Sequence, residues 1–413
     1  MVKNIGKKMI DLSLQELATQ VQMSPNVAVE SVQQYVERIK SLDPTLKGIK
    51  APSFQEASYN AQAVQGSLVG STFIVSEVDN CEQATEPLLD EGAQLLGELH
   101  HGKDPLCLDC DHEERTPNPW NFDHVSGGTS GTCASIIASG GANFSVCDDH
   151  CGSLILSGNF CGVYALRPTS QRSSRGWHCR SIADTKNIFE IASGIVEEVP
   201  EHRPFFWYVE DLLPYEVDEE LLRNINTCKE IFLSEGCSMQ PLTVPIFRNA
   251  FTAWVSHWEP CKDYRPEHLT GIMALEAYEY YFLHHPEKGE KIQKMSLEIR
   301  STLIDVLGSN GIIICPAYTS VAPKMEQTKI RPLDFILSAI FAAWNLPSIN
   351  VPTGFSVTGL PMGVQLVGAP GTEQNLFAAA EILEQEFRGC VRAQPVSLKL
   401  PFNPRRTQKN HKA

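Results

Sequence analysis

Two short turns, Gly127-Gly128-Thr129-Ser130-Gly131 and Asp149-His150-Cys151-Gly152-Ser153, carry the most information in this chain, with Ser153 standing 24 residues after Thr129. A glycine-rich turn beside a helix start aims several backbone N–H groups at one point, an arrangement suited to an oxyanion. Taken alone, such turns serve equally well as tight structural corners, because glycine is the default wherever the backbone is crowded. The surroundings decide between the two. The first turn opens an apolar helix, Cys133 to Ala138, closed by Gly140-Gly141; strand-like Phe144-Ser145-Val146 leads into the second turn, and Gly162-Val163-Tyr164-Ala165-Leu166 reads as another strand.

Working outward, helical spacing covers 9–22 and 25–41, the second with Pro25 near its start and the stripe Val27, Val29, Val32, Tyr35, Val36 and Ile39, ending at Asp43-Pro44. Residues 53–65 form a further helical stretch, Thr72-Phe73-Ile74-Val75 a buried strand, and 86–97 a helix running into a strand. Beyond residue 170 the periodicity weakens, with helices expected near 183–196 and 217–234 and largely helical structure over 265–307. Gly311 to Cys315, Leu346 to Pro352 and Met362 to Gly368 read as strands, and Glu373–Phe387 as a closing helix. This alternation predicts an α/β fold: a central mixed, mostly parallel sheet with helices on both faces.

The chain has 413 residues, 34 Lys+Arg against 49 Asp+Glu, a net charge of −15 and 42% hydrophobic residues, which excludes the disordered class. The acidic balance argues against nucleic-acid partners, whose binding rests on clustered cations. The basic clusters, Lys3, Lys7 and Lys8 and Arg405, Arg406, Lys409 and Lys412, sit at the termini. No apolar run reaches the roughly 20 residues of a membrane span, and Met9-Ile10 is too short for a signal-peptide core, so a cytoplasmic location is expected. Thirteen cysteines, an odd number, then read as free, mostly buried thiols.

Asn118-Pro119-Trp120-Asn121, the two turns, and Phe160-Cys161-Gly162-Val163-Tyr164-Ala165-Leu166-Arg167-Pro168-Thr169 together resemble the amidase signature family. That family's sequence runs Asn-Pro-Trp-Asp/Asn, Gly-Gly-Ser-Ser-Gly-Gly, Asp-Ile-Gly-Gly-Ser-Ile-Arg and Phe-Cys-Gly-Val-Tyr-Gly-Leu-Lys-Pro-Thr. Residues 28–50 are similar to its N-terminal helix. Leu346-Pro-Ser-Ile-Asn-Val-Pro-Thr-Gly and Gly359-Leu-Pro-Met-Gly-Val-Gln-Leu-Val-Gly are similar to its C-terminal strands. The resemblance implies one amidase-like domain over 1–413, with a signature core at about 70–170, short helices at 9–41 and a flexible tail at about 400–413. It further implies hydrolysis of carboxylic amides by a Ser–Ser–Lys triad, no cofactor, a small amide or acyl ligand, and a homodimer as the candidate assembly. Carried over by motif, the nucleophile falls on Ser153 and the relay hydroxyl, preceded in the family by a cis peptide bond, on Thr129. Oxyanion and substrate contacts fall on His150, Cys151, Gly152, Gly128 and Ser130.

The lysine does not carry over. The family reads Val-Ser-Val-Lys-Asp-Asn, this chain Val75-Ser76-Glu77-Val78-Asp79-Asn80, so the base position holds Val78. Glu77 and Asp79 point to the opposite strand face, and a one-residue slip would turn a buried strand inside out. Thr129 is β-branched and stiff about χ1 where the family has serine. Thr132 and Cys151 replace glycines, Ile155 replaces the arginine after the nucleophile, and the segment after Thr169 is shorter than in the family. These departures point to a divergent member that has lost or altered the hydrolysis and keeps the pocket for binding or a repurposed role. An active hydrolase using Ser153 with another base is the first alternative; Lys103 is the nearest lysine in the polar loop. A metal site from Cys107, Cys110 and His112, with His100 and His101 nearby, is the second, though a single Cys-x-x-Cys arises readily in a cysteine-rich chain. Asp148 and Asp149 read as turn carboxylates accepting backbone N–H bonds rather than as an acid pair.

Overall fold

The computed structural model describes residues 8–62, 65–76, 81–102, 108, 115–149, 151–169, 175–196, 200, 202–256, 280–327 and 334–395. Its strands are β1 (Ile49–Pro52), β2 (Thr72–Ser76), β3 (Gln94–Leu99), β4 (Pro117–Asn118), β5 (Asn121–Val125), β6 (Phe144–Asp148), β7 (Tyr164–Arg167), β8 (Arg175–Cys179), β9 (Phe205–Tyr208), β10 (Ser238–Pro241), β11 (Gly311–Cys315), β12 (Ser348–Phe355) and β13 (Pro361–Gly368). The helices are α1 (Leu14–Met23), α2 (Asn26–Leu46), α3 (Phe54–Asn60), α4 (Cys81–Asp90), α5 (Gly131–Ala138), α6 (Ser153–Cys161), α7 (Ile182–Ser193), α8 (Glu219–Ser234) and α9 (Ala250–Val255). After these come α10 (Pro286–Leu307), α11 (Ile336–Ala343) and α12 (Glu373–Phe387).

Eleven strands form one sheet in the order β1-β3-β2-β6-β8-β7-β12-β13-β11-β9-β10, and β4 pairs with β5 in a separate ribbon. The large sheet is mixed. Its wings β3-β2-β6 and β11-β9-β10 pair parallel, as crossover connections through helices require. The middle, from β6 through β8, β7, β12 and β13 to β11, is antiparallel. The direct β12–β13 connection brings antiparallel neighbours there, so the parallel character expected from strand–helix alternation is confined to the wings.

Why the strands read as continuous apolar runs is visible in the packing. Phe73 and Val75 of β2 face one core while Ile74 faces the other. Ile312 and Ile314 of β11 likewise oppose Ile313 and Cys315. One face is covered by α7, α8 and α12 (Ile188, Phe232 and Leu376), the other by α2, α5, α6 and α11 (Val32, Ile137, Leu154 and Ile340). A strand buried on both faces has no polar side, which is why alternation is missing.

α1 starts at a capping box: the Ser13 hydroxyl accepts from the Glu16 N–H at 3.2 Å and the Glu16 carboxylate accepts from the Ser13 N–H at 3.0 Å. α2 continues past Asp43-Pro44, where the sequence pattern predicts an end. Pro44 falls in the last turn, so its missing N–H costs one ladder bond near the end rather than breaking the helix, which stops at Lys47 in the left-handed region, φ 52°. Strands β8, β9 and β10 and helix α11 fall where the sequence carries no periodic signal. None of the helices among the described residues is long and apolar enough to cross a membrane. The C-terminal stretch 400–413 lies outside the described residues.

Candidate active site

β2 and β6 are parallel neighbours, with Ser76 opposite Cys147, so both direct their C-terminal ends at the same edge of the sheet. β6 runs there into Asp148 and Asp149, and α6 starts at Ser153. Asp149 closes the turn: its Oδ1 accepts from the Leu154 N–H at 3.0 Å and its other oxygen lies 3.0 Å from Arg167 Nε, both side chains being buried. Asp149 is thus a turn carboxylate, as its position in the sequence suggests. Burial holds the Arg167 guanidinium below its usual range, and the Asp149 charge counteracts that shift.

Two successive residues of the turn occupy the left-handed region, Cys151 at φ 57° and Gly152 at φ 76°. Gly152 has a steric reason: a Cβ there would lie 2.7 Å from the Ala339 nitrogen and the Ser338 carbonyl carbon of α11. Cys151 has no such exemption and holds a strained conformation, worth roughly 1–2 kcal/mol for a residue with a side chain. The result places Ser153 as the first residue of α6, where the leading N–H groups have no partner within the helix.

The first turn approaches from the other side. Gly127 (φ 104°) lies so close to α6 that a Cβ would sit 2.7 Å from Ser157 Cα. The N–H groups of Gly127 and Gly128 both donate to the Leu108 carbonyl, at 3.1 and 3.0 Å. Gly128 therefore shapes the turn, and its N–H is already engaged. The two turns bring three buried hydroxyls together: Ser153 Oγ lies 2.8 Å from Thr129 Oγ1 and 3.0 Å from Ser130 Oγ. Despite its β-branch, Thr129 directs its hydroxyl at Ser153. Ser130 Oγ also donates to the Asp148 carbonyl at 3.3 Å, so it accepts from Ser153 while that bond is made. The hydrogen-bond partners of Ser153 Oγ among the described residues are these two hydroxyls, which are poor proton acceptors near neutral pH. The Gly128–Thr129 peptide is not cis; Leu213–Pro214 is the cis bond among the described residues.

Behind α6 lies a residue that sequence reasoning misses. His178 on β8 is fully buried; its Nδ1 lies 2.9 Å from Ser145 Oγ on β6, and its Nε2 lies 3.0 Å from Ser157 Oγ and 3.1 Å from the Leu154 carbonyl on α6. A carbonyl only accepts, so Nε2 carries a hydrogen, while Nδ1 meets the Ser145 hydroxyl. The ring thereby ties the strand before the nucleophile turn to the helix after it. A lone histidine in Arg175-Gly-Trp-His-Cys carries no sequence signal of this role.

Val78, with Glu77 and Asp79, lies outside the described residues, as do His150, Lys103 and the metal candidates Cys107, Cys110 and His112. Among the described residues no group of three His, Cys, Asp or Glu is placed to hold a metal ion. The ten described cysteines are free thiols, seven of them buried.

The same fold recurs in known proteins. The family model described as Amidase matches residues 69–189 and 266–377. Human fatty-acid amide hydrolase 2 is 23% identical over 94% of this chain and 91% of its own length; the alignment spans 486 residues, so that relative carries segments this chain lacks. A glutamyl-tRNA(Gln) amidotransferase component from Nostoc punctiforme is 22% identical over 93% of this chain and all of its own. The solved structure of 6-aminohexanoate cyclic dimer hydrolase superposes with a TM-score of 0.77 at 16% identity, covering 94% of this chain and 99% of that one.

Proposed function

The chain belongs to the amidase family, and on that footing we propose that it retains the pocket for a small carboxylic amide or acyl ligand but has lost or altered the Ser–Ser–Lys hydrolysis. The observation that carries this reading is Val78, an aliphatic residue at the position where the family pattern has its lysine base. The contacts of Ser153 support it, since hydroxyls of Thr129 and Ser130 relay a proton but do not hold it.

The magnitudes point the same way. Serine is a poor nucleophile until a base takes its proton. A positioned general base contributes roughly 10²–10⁴ in rate. Oxyanion contacts and binding alone retain about 10³–10⁴ over water in enzymes stripped of triad members. Amide hydrolysis starts so slowly that this remainder does not sustain a useful turnover. In the proposed role the Ser153 N–H and the hydroxyl cluster hold an amide or acyl carbonyl, and the substrate class follows the amide chemistry named for the relatives.

A specific observation favours the second reading, an active hydrolase: the left-handed turn at Cys151–Gly152 and the 2.8 Å Thr129–Ser153 contact preserve the arrangement that a nucleophile needs. Fluorophosphonate labelling separates the two. The proposal expects Ser153 to remain unlabelled, with parent and Ser153→Ala indistinguishable. Labelling of the parent that disappears in Ser153→Ala selects the active hydrolase instead.

A further inference from the structure

On the far end of α5 from the hydroxyl cluster, cations from three distant parts of the chain meet in a groove of about 660 Å³. Lys8 precedes the first turn of the chain, Arg38 lies on α2, and Arg392 follows α12; Gln34 and Gln394 add amides, and the lining carboxylate is the exposed Glu37. That volume suits a small-molecule ligand.

One carboxylate meets these groups directly, Asp11 on Arg392, while Lys8 and Arg38 make no ion pair among the described residues. Arg38 donates from Nε and Nη2 to the Ser139 carbonyl at the end of α5, at 3.1 and 2.8 Å, and no carboxylate pairs with it among the described residues. Arg392 reaches Asp11 through Nη1 at 3.3 Å, but its Nε is buried without an acceptor. A buried donor left unmatched is costly, and this one belongs to a residue that lines the groove. Arg392 is held there by the absence of a side chain at Gly140, where a Cβ would sit 2.8 Å from its Cδ. Lys8 is exposed and makes no ion pair among the described residues. Burial, and next the charge of Arg392, press the Arg38 guanidinium below its usual range against the opposing charge of Asp11, so an added anion beside Arg38 would relieve it. In a chain of net charge −15 this concentration of cations is local.

We propose that this groove binds a small, multiply charged oxyanion, recognised by the Arg38 and Arg392 guanidinium groups and the Lys8 ammonium. Planar guanidinium forks match phosphate and carboxylate oxygens alike, and the ammonium adds a point charge. The site stands apart from Ser153 and does not depend on the fate of hydrolysis there.

Calorimetric titration of the full chain with pyrophosphate and with citrate, against sodium chloride at matched ionic strength, tests this. Saturable one-to-one binding is expected, tighter for pyrophosphate if the ligand is a phosphoryl compound and tighter for citrate if it is a polycarboxylate. Arg392→Gln is expected to weaken it by about tenfold or more, and Lys8→Gln by a smaller factor. Should Arg392→Gln fail to fold, Lys8→Gln and Lys8→Glu decide, since Lys8 is exposed, and Lys8→Glu is expected to weaken binding the more. The proposal is overturned if neither anion saturates beyond the chloride control, or if the affinity is unchanged in these variants.

Discussion

Gly152→Ala probes the turn on which the position of Ser153 depends. Glycine here adopts φ 76°, and an alanine forced into that region costs about 1–2 kcal/mol. Its Cβ would also lie 2.7 Å from two backbone atoms of α11, the Ala339 nitrogen and the Ser338 carbonyl carbon. Backbone atoms do not swing aside as side-chain tips do, so the two helices separate, at about 1–3 kcal/mol for an overpacked core. Against this, replacing glycine restricts the unfolded chain and returns about 0.5–1 kcal/mol. The net expectation is a destabilisation of about 1–4.5 kcal/mol, read in urea as a lower midpoint with an unchanged slope. The neighbouring Cys151→Gly has opposing parts: relief of the φ 57° strain against lost packing of a half-buried side chain and a freer unfolded chain. It is expected to stay within about 1 kcal/mol of the parent. If Gly152→Ala matches the parent within about 0.5 kcal/mol, the left-handed turn against α11 is not the constraint described above.

His178→Ala removes the partner of the Ser145 hydroxyl and the donor to Leu154 from a fully buried site, and is expected to cost about 2–5 kcal/mol by urea denaturation; a cost under about 1 kcal/mol contradicts the tie between β6 and α6. Burial raises the Asp184 carboxyl above its ordinary 3.8, outweighing the Leu14 N–H bond and Arg180. A raised folded pKa stabilises most below the unfolded value and loses that contribution as pH rises through the folded one. The difference in urea stability between parent and Asp184→Asn should therefore shift in favour of Asp184→Asn as pH rises from about 4, and a pH-independent difference counts against the shift. Burial likewise pushes the thiols of Cys179, Cys228 and Cys315 upward, and with seven thiols buried no more than six of the thirteen should react with a disulfide reagent in the folded protein; a higher native count contradicts the packing.

The fold was legible where the chemistry of the backbone is local. The Gly127–Gly131 and Asp149–Ser153 turns, the strand Gly311–Cys315 and the helix Glu373–Phe387 announce themselves through glycine and apolar patterns. Strands β8, β9 and β10 do not, because Arg175, Trp207 and Gln240 owe their strand conformation to partners across the sheet. The antiparallel middle of the sheet has the same origin in part: the Ser348–Arg167 pairing of β12 and β7 joins residues far apart in the chain, which no window of residues encodes. At the site, the resemblance to the amidase family's motifs pointed to Ser153, Thr129 and Ser130, and the fold brings the other two hydroxyls within 3.0 Å of the Ser153 oxygen. His178 stayed hidden because its role is set by what surrounds it. A buried imidazole and a surface one look alike in a sequence.

Restoring the base tests the central claim most directly. Hydrolysis of a simple carboxylic anilide by the parent, by Ser153→Ala and by the combined Val78→Lys, Thr129→Ser variant should show turnover in the combined variant alone. Turnover by the parent that vanishes in Ser153→Ala contradicts the account, because a proton acceptor other than a lysine at position 78 would then already serve that hydroxyl.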